Sequence, residues 1–450
     1  MHRFAFFTLF TLFLCSLSAL AQQPVTLTLE RSIDLALDKN LTVIQSRNSV
    51  DASQSSSQAA YGSLLPSLSA SGSFSRQQSW HPGQTIWYNG IPITSTGGEF
   101  QAINSYSTGI SSNIMLFNGF ANTSNVTRAS ANMNAAQYNL DRTNQTAVYN
   151  TYGQFLNIYR YGELVKVNDD NLKRDQRQLE RIVESNKVGA VALADVYRQQ
   201  VQVGNDELSL IQAQSTYEKA KADFVAYLGV DVNAEYVYDF SGIPSMIDTL
   251  EFQKVNQRFE NTARLIEQAI DTRPDFKAAN ESYRSSDASV SAARGAVYPS
   301  VSAFGSYGYN ANELSSLSSN RNLSLGMSIN LPIFSGFSTQ NQIQQAEIGR
   351  KNANEALSQA QRQIVVDIRK ALLDLEAAEK QLAVTISSVQ SAQMDLQIAQ
   401  EKYNLASGTL LDLLVANAGY TNALSNKVSG VVNYMIMKKQ MEYAIGIISK

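Results

Sequence analysis

The chain contains its own fold twice, and this duplication constrains everything else. The stretch Ala59-Ala60-Tyr61-Gly62-Ser63-Leu64-Leu65-Pro66-Ser67-Leu68-Ser69-Ala70 is echoed by Ala292-Ala293-Arg294-Gly295-Ala296-Val297-Tyr298-Pro299-Ser300-Val301-Ser302-Ala303, at an offset of 233. The same offset pairs Ala36 with Ala269 and Val43 with Phe276. Further on, Leu116-Phe117-Asn118-Gly119-Phe120 matches Ile333-Phe334-Ser335-Gly336-Phe337 at an offset of 217, which persists to Asp195 and Asp412. The copies therefore differ by a single insertion of 16 residues between Pro66 and Phe117. A repeat of this length and register makes one body from two equivalent units.

Inside each copy the hydrophobic period changes from helix to strand and back. Leu323, Leu325, Met327, Ile329, Leu331 and Ile333 alternate with mostly polar residues, and Tyr106, Thr108, Ile110, Ser112, Ile114 and Leu116 do the same. Partner strands follow the prolines, as Leu68, Ala70, Gly72, Phe74 and as Val301, Ala303, Gly305, Tyr307, Tyr309. That predicts two one-sided β-hairpins, about 66–117 and 299–334. The first hairpin loop carries Trp80-His81-Pro82-Gly83, Asn89-Gly90 and Gly97-Gly98, all turn chemistry, and absorbs the insertion.

No proline interrupts the chain between Pro92 and Pro244 or after Pro332, so long helices are expected at about 119–187 and 336–404. In the second, Ile368, Leu375, Leu382, Val389, Leu396 and Tyr403 recur every seventh residue, with Ala371, Ala378, Thr385, Ala392 and Ala399 three further on. This is a coiled-coil seam of large residues against small ones. Ile158, Val165, Leu172 and Leu179 keep part of it in the first copy. Each such helix would be on the order of 100 Å long. Gly-containing turns then precede shorter helices at about 191–228 and 410–447. The expected organisation is a first repeat over 22–228, a mixed linker over 229–260 and a second repeat over 261–450. The fold class is mixed and mainly α.

Ahead of this stand Arg3, an apolar run from Phe4 to Leu14 and Ala19-Leu20-Ala21, the layout of a secretory signal peptide over residues 1–21. The apolar run falls short of the about 20 residues a membrane-spanning helix needs. Cys15, the only cysteine, and His2 would leave with the leader, so His81 is the remaining histidine and reads as a loop residue. No metal site, disulfide or cofactor is expected, and no nucleophile–base pair is available. A net charge of -3 gives no basic footprint, so nucleic acid is not an expected partner. The reading is not an enzyme.

Strands with one apolar face and one face of Ser, Asn and Gly suit a wall between lipid and water, and a membrane tolerates no unpaired strand edge. Four strands cannot close a barrel, so chains must pool their hairpins; a dimer's eight would enclose only packed side chains, whereas a trimer's twelve leave a lumen. The homotrimer is the expected state. Trp80, Trp87 and Tyr88 are candidates for aromatics at the membrane interface.

The duplicated Pro-Ser-(Leu/Val)-Ser-Ala strand openings, the Phe-(Asn/Ser)-Gly-Phe helix starts and the Gly189 to Asp195 turn resemble those of the TolC-like outer-membrane efflux family. The resemblance covers essentially the whole chain after the leader. It implies a trimeric twelve-stranded β-barrel in the outer membrane joined to a periplasmic barrel of coiled-coil helices. It also implies a periplasmic adaptor protein and an inner-membrane transporter as partners. The function implied is a passive exit duct of a tripartite efflux or type I secretion system. The resemblance places the adaptor-contact turns at Val188, Gly189, Ala406 and Gly408, and pore or gate residues at Asp412, Asp195 and Tyr403. Asp412 is the first candidate for an acidic ring, against the plainer reading that Asp195 and Asp412 cap or solvate the short helices. Ala406 departs from the glycine of the first copy, Val415 is apolar where some members carry a second acid, and Gly408 stands where some hold a base. A secreted trimeric coiled coil of structural or adhesive kind is the alternative reading.

Overall fold

The computed structural model describes residues 25–80, 82–94, 100–244 and 249–448. The expected leader and His81 lie outside the described residues. In chain order the elements are β1 (Val25–Leu27), α1 (Leu29–Lys39), α2 (Leu41–Gly62), β2 (Ser67–Trp80), β3 (Thr85–Tyr88), β4 (Ile91–Thr94) and β5 (Phe100–Asn118). They continue as α3 (Ala121–Lys187), α4 (Leu193–Leu228), β6 (Tyr236–Tyr238), α5 (Thr249–Phe259), α6 (Thr262–Thr272), α7 (Pro274–Gly295), β7 (Ser300–Ala311), β8 (Arg321–Asn330), α8 (Ser338–Asn404) and α9 (Leu410–Ile445).

The duplication holds at the level of single residues. Both long helices, α3 and α8, have 67 residues and both following helices, α4 and α9, have 36. Capping repeats too: Thr28 accepts from Arg31 N at 3.1 Å before α1, and Asn261 accepts from Arg264 N at 3.0 Å before α6. Before each long helix the chain turns through two consecutive left-handed residues, Gly119 and Phe120 (φ 61° and 64°) and Gly336 and Phe337 (φ 60° and 65°). A phenylalanine in that region is strained by about 1 kcal/mol or more, so the recurrence marks a turn whose geometry the fold enforces.

Contacts group the chain into two compact units, each drawing on both copies. One comprises 49–137 and 277–358, the other 1–48, 138–276 and 359–450. The first contains a four-stranded antiparallel sheet in the order β2-β5-β7-β8. Leu68, Ala70, Gly72 and Phe74 pair directly with Ser112, Ile110, Thr108 and Tyr106. Those in turn oppose Gly305, Tyr307, Tyr309 and Ala311, and Val301, Ala303, Gly305 and Tyr307 oppose Ile329, Met327, Leu325 and Leu323. Direct partners share a face, so the apolar rows form one continuous side. Two details correct the expected strands. Alternation through Leu331 and Ile333 does not extend β8, which ends at Asn330 before Pro332, a residue with no N–H for the ladder. A bulge between Met115 and Phe117 takes Leu116 out of its row. The first hairpin loop is also more ordered than turn residues alone imply: Asn89 and Gly90, at φ 50° and 79°, make the tight turn of a second hairpin, β3–β4.

In the other unit, β1 runs parallel to β6, and Leu27, Ala36, Phe155, Ile158, Phe224 and Leu228 pack together beside them. The heptad seam of α8 is buried at Ile364, Ile368, Ala371, Leu375, Ala378, Leu382 and Thr385. It packs against Val431, Tyr434 and Met441 of α9. The close approach is made possible by Gly430, where a Cβ would stand 3.1 Å from Thr385 Oγ1. Beyond Thr385 the seam residues Val389, Ala392, Leu396 and Ala399 are half-buried.

Candidate pore tip and membrane-facing sheet

The α3–α4 and α8–α9 turns are built alike. Gly189 N donates to Asn186 O and Ala190 N to Ser185 O, both at 2.9 Å; Ala406 N donates to Tyr403 O at 3.0 Å and Ser407 N to Lys402 O at 2.9 Å. These paired bonds satisfy the last carbonyls of each helix and require a left-handed residue at the turn. Gly189 (φ 77°) and Ala406 (φ 54°) fill that position. Ala406 thus replaces a glycine in a glycine conformation. The turns meet over Ile182, Val196 and Leu410, with Tyr403 and Leu414 packed alongside.

Around this core the candidate residues divide. Asp412 sits in a capping box: its N–H donates to Thr409 Oγ1 at 3.2 Å, and its Oδ2 accepts from Thr409 N at 3.0 Å and from Thr409 Oγ1 at 2.7 Å. The hydroxyl and N–H of Thr409 hold its carboxyl below the usual range. Asp195, in the first turn of α4, makes an ion pair with Arg198 at 2.8 Å, while the cap position before it is Ala192, which has no side-chain bond. Asp195, Arg198, Tyr403, Ala406 and Gly408 line one cavity with Arg181. Burial, then the charge of Asp195, raises the Tyr403 hydroxyl, which has no hydrogen-bond partner among the described residues. The structure therefore brings Asp195 and Tyr403 together and leaves Asp412 outside that cavity.

The turns also expose apolar side chains. Val188 is 80% and Leu405 78% exposed, and Leu193, Leu411 and Val415 stand open nearby. The spacing Thr409-x-x-Asp412 was the one signal in the sequence for the capping box; nothing in it pointed to Arg181.

In the sheet unit the two faces differ sharply. One carries Leu68, Phe74, Ile110, Leu323, Leu325, Met327 and Ile329, all exposed. The other carries Ser69, Ser73, Ser107 and Ser111, which pair hydroxyl to hydroxyl at 2.8 Å across β2 and β5. Trp80 lies opposite Phe100 in the same alternation as Leu68 and Phe74, on the apolar side. Trp87 and Tyr88 lie on β3, both exposed, opposite Pro92 and Ile91. Among the described residues no helix is long and apolar enough to cross a membrane, and no group of three acidic, histidine or cysteine side chains could hold a metal.

Known proteins share this arrangement. Residues 32–230 and 265–436 match the family described as outer membrane efflux protein. The outer membrane efflux protein BepC of Brucella suis biovar 1 (strain 1330) is 23% identical over 314 residues, 68% of this chain and 65% of that one. The outer membrane protein TolC of Escherichia coli (strain K12) is 22% identical over 315 residues, 68% of this chain and 62% of that one. The matched stretch spans less than two thirds of the length of these relatives. The crystal structure of the Campylobacter jejuni CmeC outer membrane channel superposes with a TM-score of 0.76 at 19% identity, covering 93% of this chain and 85% of that one. With both copies of its repeat matched, the chain belongs to the outer membrane efflux protein family, and the outer membrane is its place in the cell.

Proposed function

We propose that this protein is the passive outer-membrane exit duct of a tripartite efflux or type I secretion system, and not an enzyme. In this reading it works as a homotrimer with a periplasmic adaptor protein and an inner-membrane transporter. The observation that carries it is the sheet: an apolar face against a serine-rich face, with the outer sides of both edge strands, β2 and β8, unpaired among the described residues. In lipid such edges must be closed, and a ring of three chains joining β8 of one copy to β2 of the next closes twelve strands around a hydroxyl-lined lumen.

The helices support the same ring. Within their unit α4 contacts α3 through Gln199 and Asp175, α3 contacts α9 through Asn171 and Asn417, and α9 packs on α8. The outer members of this row each carry a second apolar stripe: Tyr197, Val201, Leu208 and Ile211 on α4, and Leu373, Val384, Met394 and Ile398 on α8, all exposed. Their spacing is helical, and α4 of one copy against α8 of the next buries both. The apolar turns at Val188, Gly189, Ala406 and Gly408 suit the adaptor, and Asp412 and Asp195, with Tyr403, are the gate candidates. Trp80, Trp87 and Tyr88 suit the outer lipid interface.

Single-channel conductance of the purified protein in planar bilayers tests this. Discrete currents that change in size or cation preference in Asp412→Ala support a duct narrowed at Asp412; currents indifferent to it keep the duct and remove that gate. Absence of insertion and current would instead favour the secreted coiled-coil reading.

A further inference from the structure

Helices α3, α4 and α9 bury a layer of polar side chains. Asn417 Nδ2 donates to Asn171 Oδ1 at 3.1 Å and to Asp175 Oδ2 at 2.8 Å, and Thr421 Oγ1 donates to Asn171 Oδ1 at 2.7 Å. Arg174 completes it, with Nε on Asn417 Oδ1 at 3.1 Å and Nη2 on Thr421 Oγ1 at 3.0 Å. From α4, Gln199 Nε2 reaches Asp175 Oδ1 at 3.0 Å.

One part of this layer is short of a hydrogen-bond donor. Asp206 of α4 neighbours Asp175 of α3, whose carboxyl acts on it, and the two residues are 6% and 3% exposed. Asp206 Oδ1 accepts from Gln202 Nε2 at 2.9 Å. Its Oδ2 has no hydrogen-bond partner among the described residues, and neither has the Oε1 of fully buried Gln199 beside it. Two buried carboxylates in contact repel, whereas a carboxyl and a carboxylate attract. A single proton on Asp206 Oδ2, donated to Asp175, supplies the missing donor and removes the repulsion.

The charge of Arg174 works against that proton, and burial together with Asp175 outweighs it. Arg174 of α3 is bonded to Asn417 and Thr421 of α9, and Arg177 and Arg181 of α3 and Glu401 of α8 line the cavity beside Asp175. α9 presents the neutral Asn417, Thr421 and Tyr420, and α4 the neutral Gln199 and Gln202. We propose that Asp175 and Asp206 form a proton-binding site that clamps α4 to α3, and that the clamp is released as the surrounding medium turns alkaline.

Burial, followed by the neighbouring Asp175, pushes Asp206 up to about 7. Because this lies above its unfolded value, the clamp's contribution is complete in acid and is lost as pH rises through about 7. The site is independent of conduction, so its test reads helix opening alone. Hydrogen exchange of the purified full chain, corrected for intrinsic rates, should show α4 amides around Gln199 to Asp206 opening about tenfold more at pH 8 than at pH 6. Asp206→Asn, a neutral side chain that still donates, should abolish that step. A step of equal size in the variant, or none in the wild type, overturns the proposal. Should Asp206→Asn fail to fold, infrared pH-difference spectra of the wild type decide: a protonated-carboxyl band lost between pH 6 and pH 8 is expected, and its absence refutes the site.

Discussion

The ring of Phe304 lies across Gly326, its direct partner on the neighbouring strand, so that a Cβ on Gly326 would stand 2.5 Å from Phe304 Cζ. An aromatic ring covers the gap that glycine leaves in the β7–β8 ladder. Gly326→Ala should lower stability by about 1–3 kcal/mol through overpacking. Adding Phe304→Ala should return much of that loss. Thermal unfolding in detergent of the two single variants and the double variant measures the coupling, and additive losses would contradict the packing argument.

Gly189 and Ala406 share a left-handed position, and a Cβ on Gly189 meets nothing within 4 Å. Substitution there acts through backbone conformation alone. Gly189→Ala should cost about 1 kcal/mol, and Ala406→Gly should gain a similar amount. Chemical or thermal unfolding of the two variants side by side should show opposite signs.

Asp412 can be separated into a cap and a charge. Asp412→Ala removes the charge and the reciprocal half of the capping box but leaves Thr409 as the cap, so it should lower the unfolding temperature modestly and more than Asp412→Asn, which keeps an acceptor for the Thr409 N–H. If the carboxylate shapes conduction, both variants should lose cation preference equally in bilayer recordings. Because Thr409 lowers the Asp412 carboxyl, the cap persists below the ordinary carboxylate range and weakens only as pH falls through that lowered value.

Arg273 is 2% exposed and gathers three elements. It donates to Asp275 at 2.6 and 3.0 Å, to Asp367 at 2.9 Å and to Ala444 O at 3.2 Å. Arg273→Leu leaves Asp367 without this cation and Asp275 with Arg142 alone, 3.8 Å away, and because both carboxylates keep some contact with water it should cost about 2 kcal/mol. Burial alone would raise the Asp275 carboxyl, but the Arg273 hydrogen bond and the charges of Arg142 and Arg273 outweigh it, and it is lowered. The network's share of stability is therefore present at neutral pH and lost in acid. A melting-temperature profile against pH should show the wild type falling toward the variant as pH drops.

How far the sequence could be read depended on whether a feature repeats. Helix lengths, seam and strand faces recur in both copies, and recurrence separates pattern from chance: the rows through Leu68, Ile110, Tyr307 and Leu323 were all visible as alternation. The β3–β4 hairpin occurs once, in the insertion, and showed only its Asn89-Gly90 turn. The strand end at Asn330 and the bulge at Leu116 were hidden because side-chain alternation continues past the last ladder bond. The meetings of Asp175 with Asp206, and of Arg273 with Asp367, depend on which helix faces touch. A helical period announces apolar faces and is silent about lone polar residues set within them. Asp195 and Asp412 looked equivalent by offset, yet the residue before each helix differs: Ala192 cannot cap, and Thr409 does.

The equal lengths of α3 and α8, and of α4 and α9, have an evolutionary corollary. The two long helices act as a matched pair of rulers, since their far ends must arrive level for Ile182, Val196 and Leu410 to touch. Removing one heptad from α3 alone would displace its turn by about 10 Å and leave Leu410 facing the wrong residues. Length in this protein can therefore drift only in pairs, by the same whole heptads in both copies. The hairpin end is free of that bond, and it is there, in a longer loop and longer strands, that the 16 unmatched residues have accumulated.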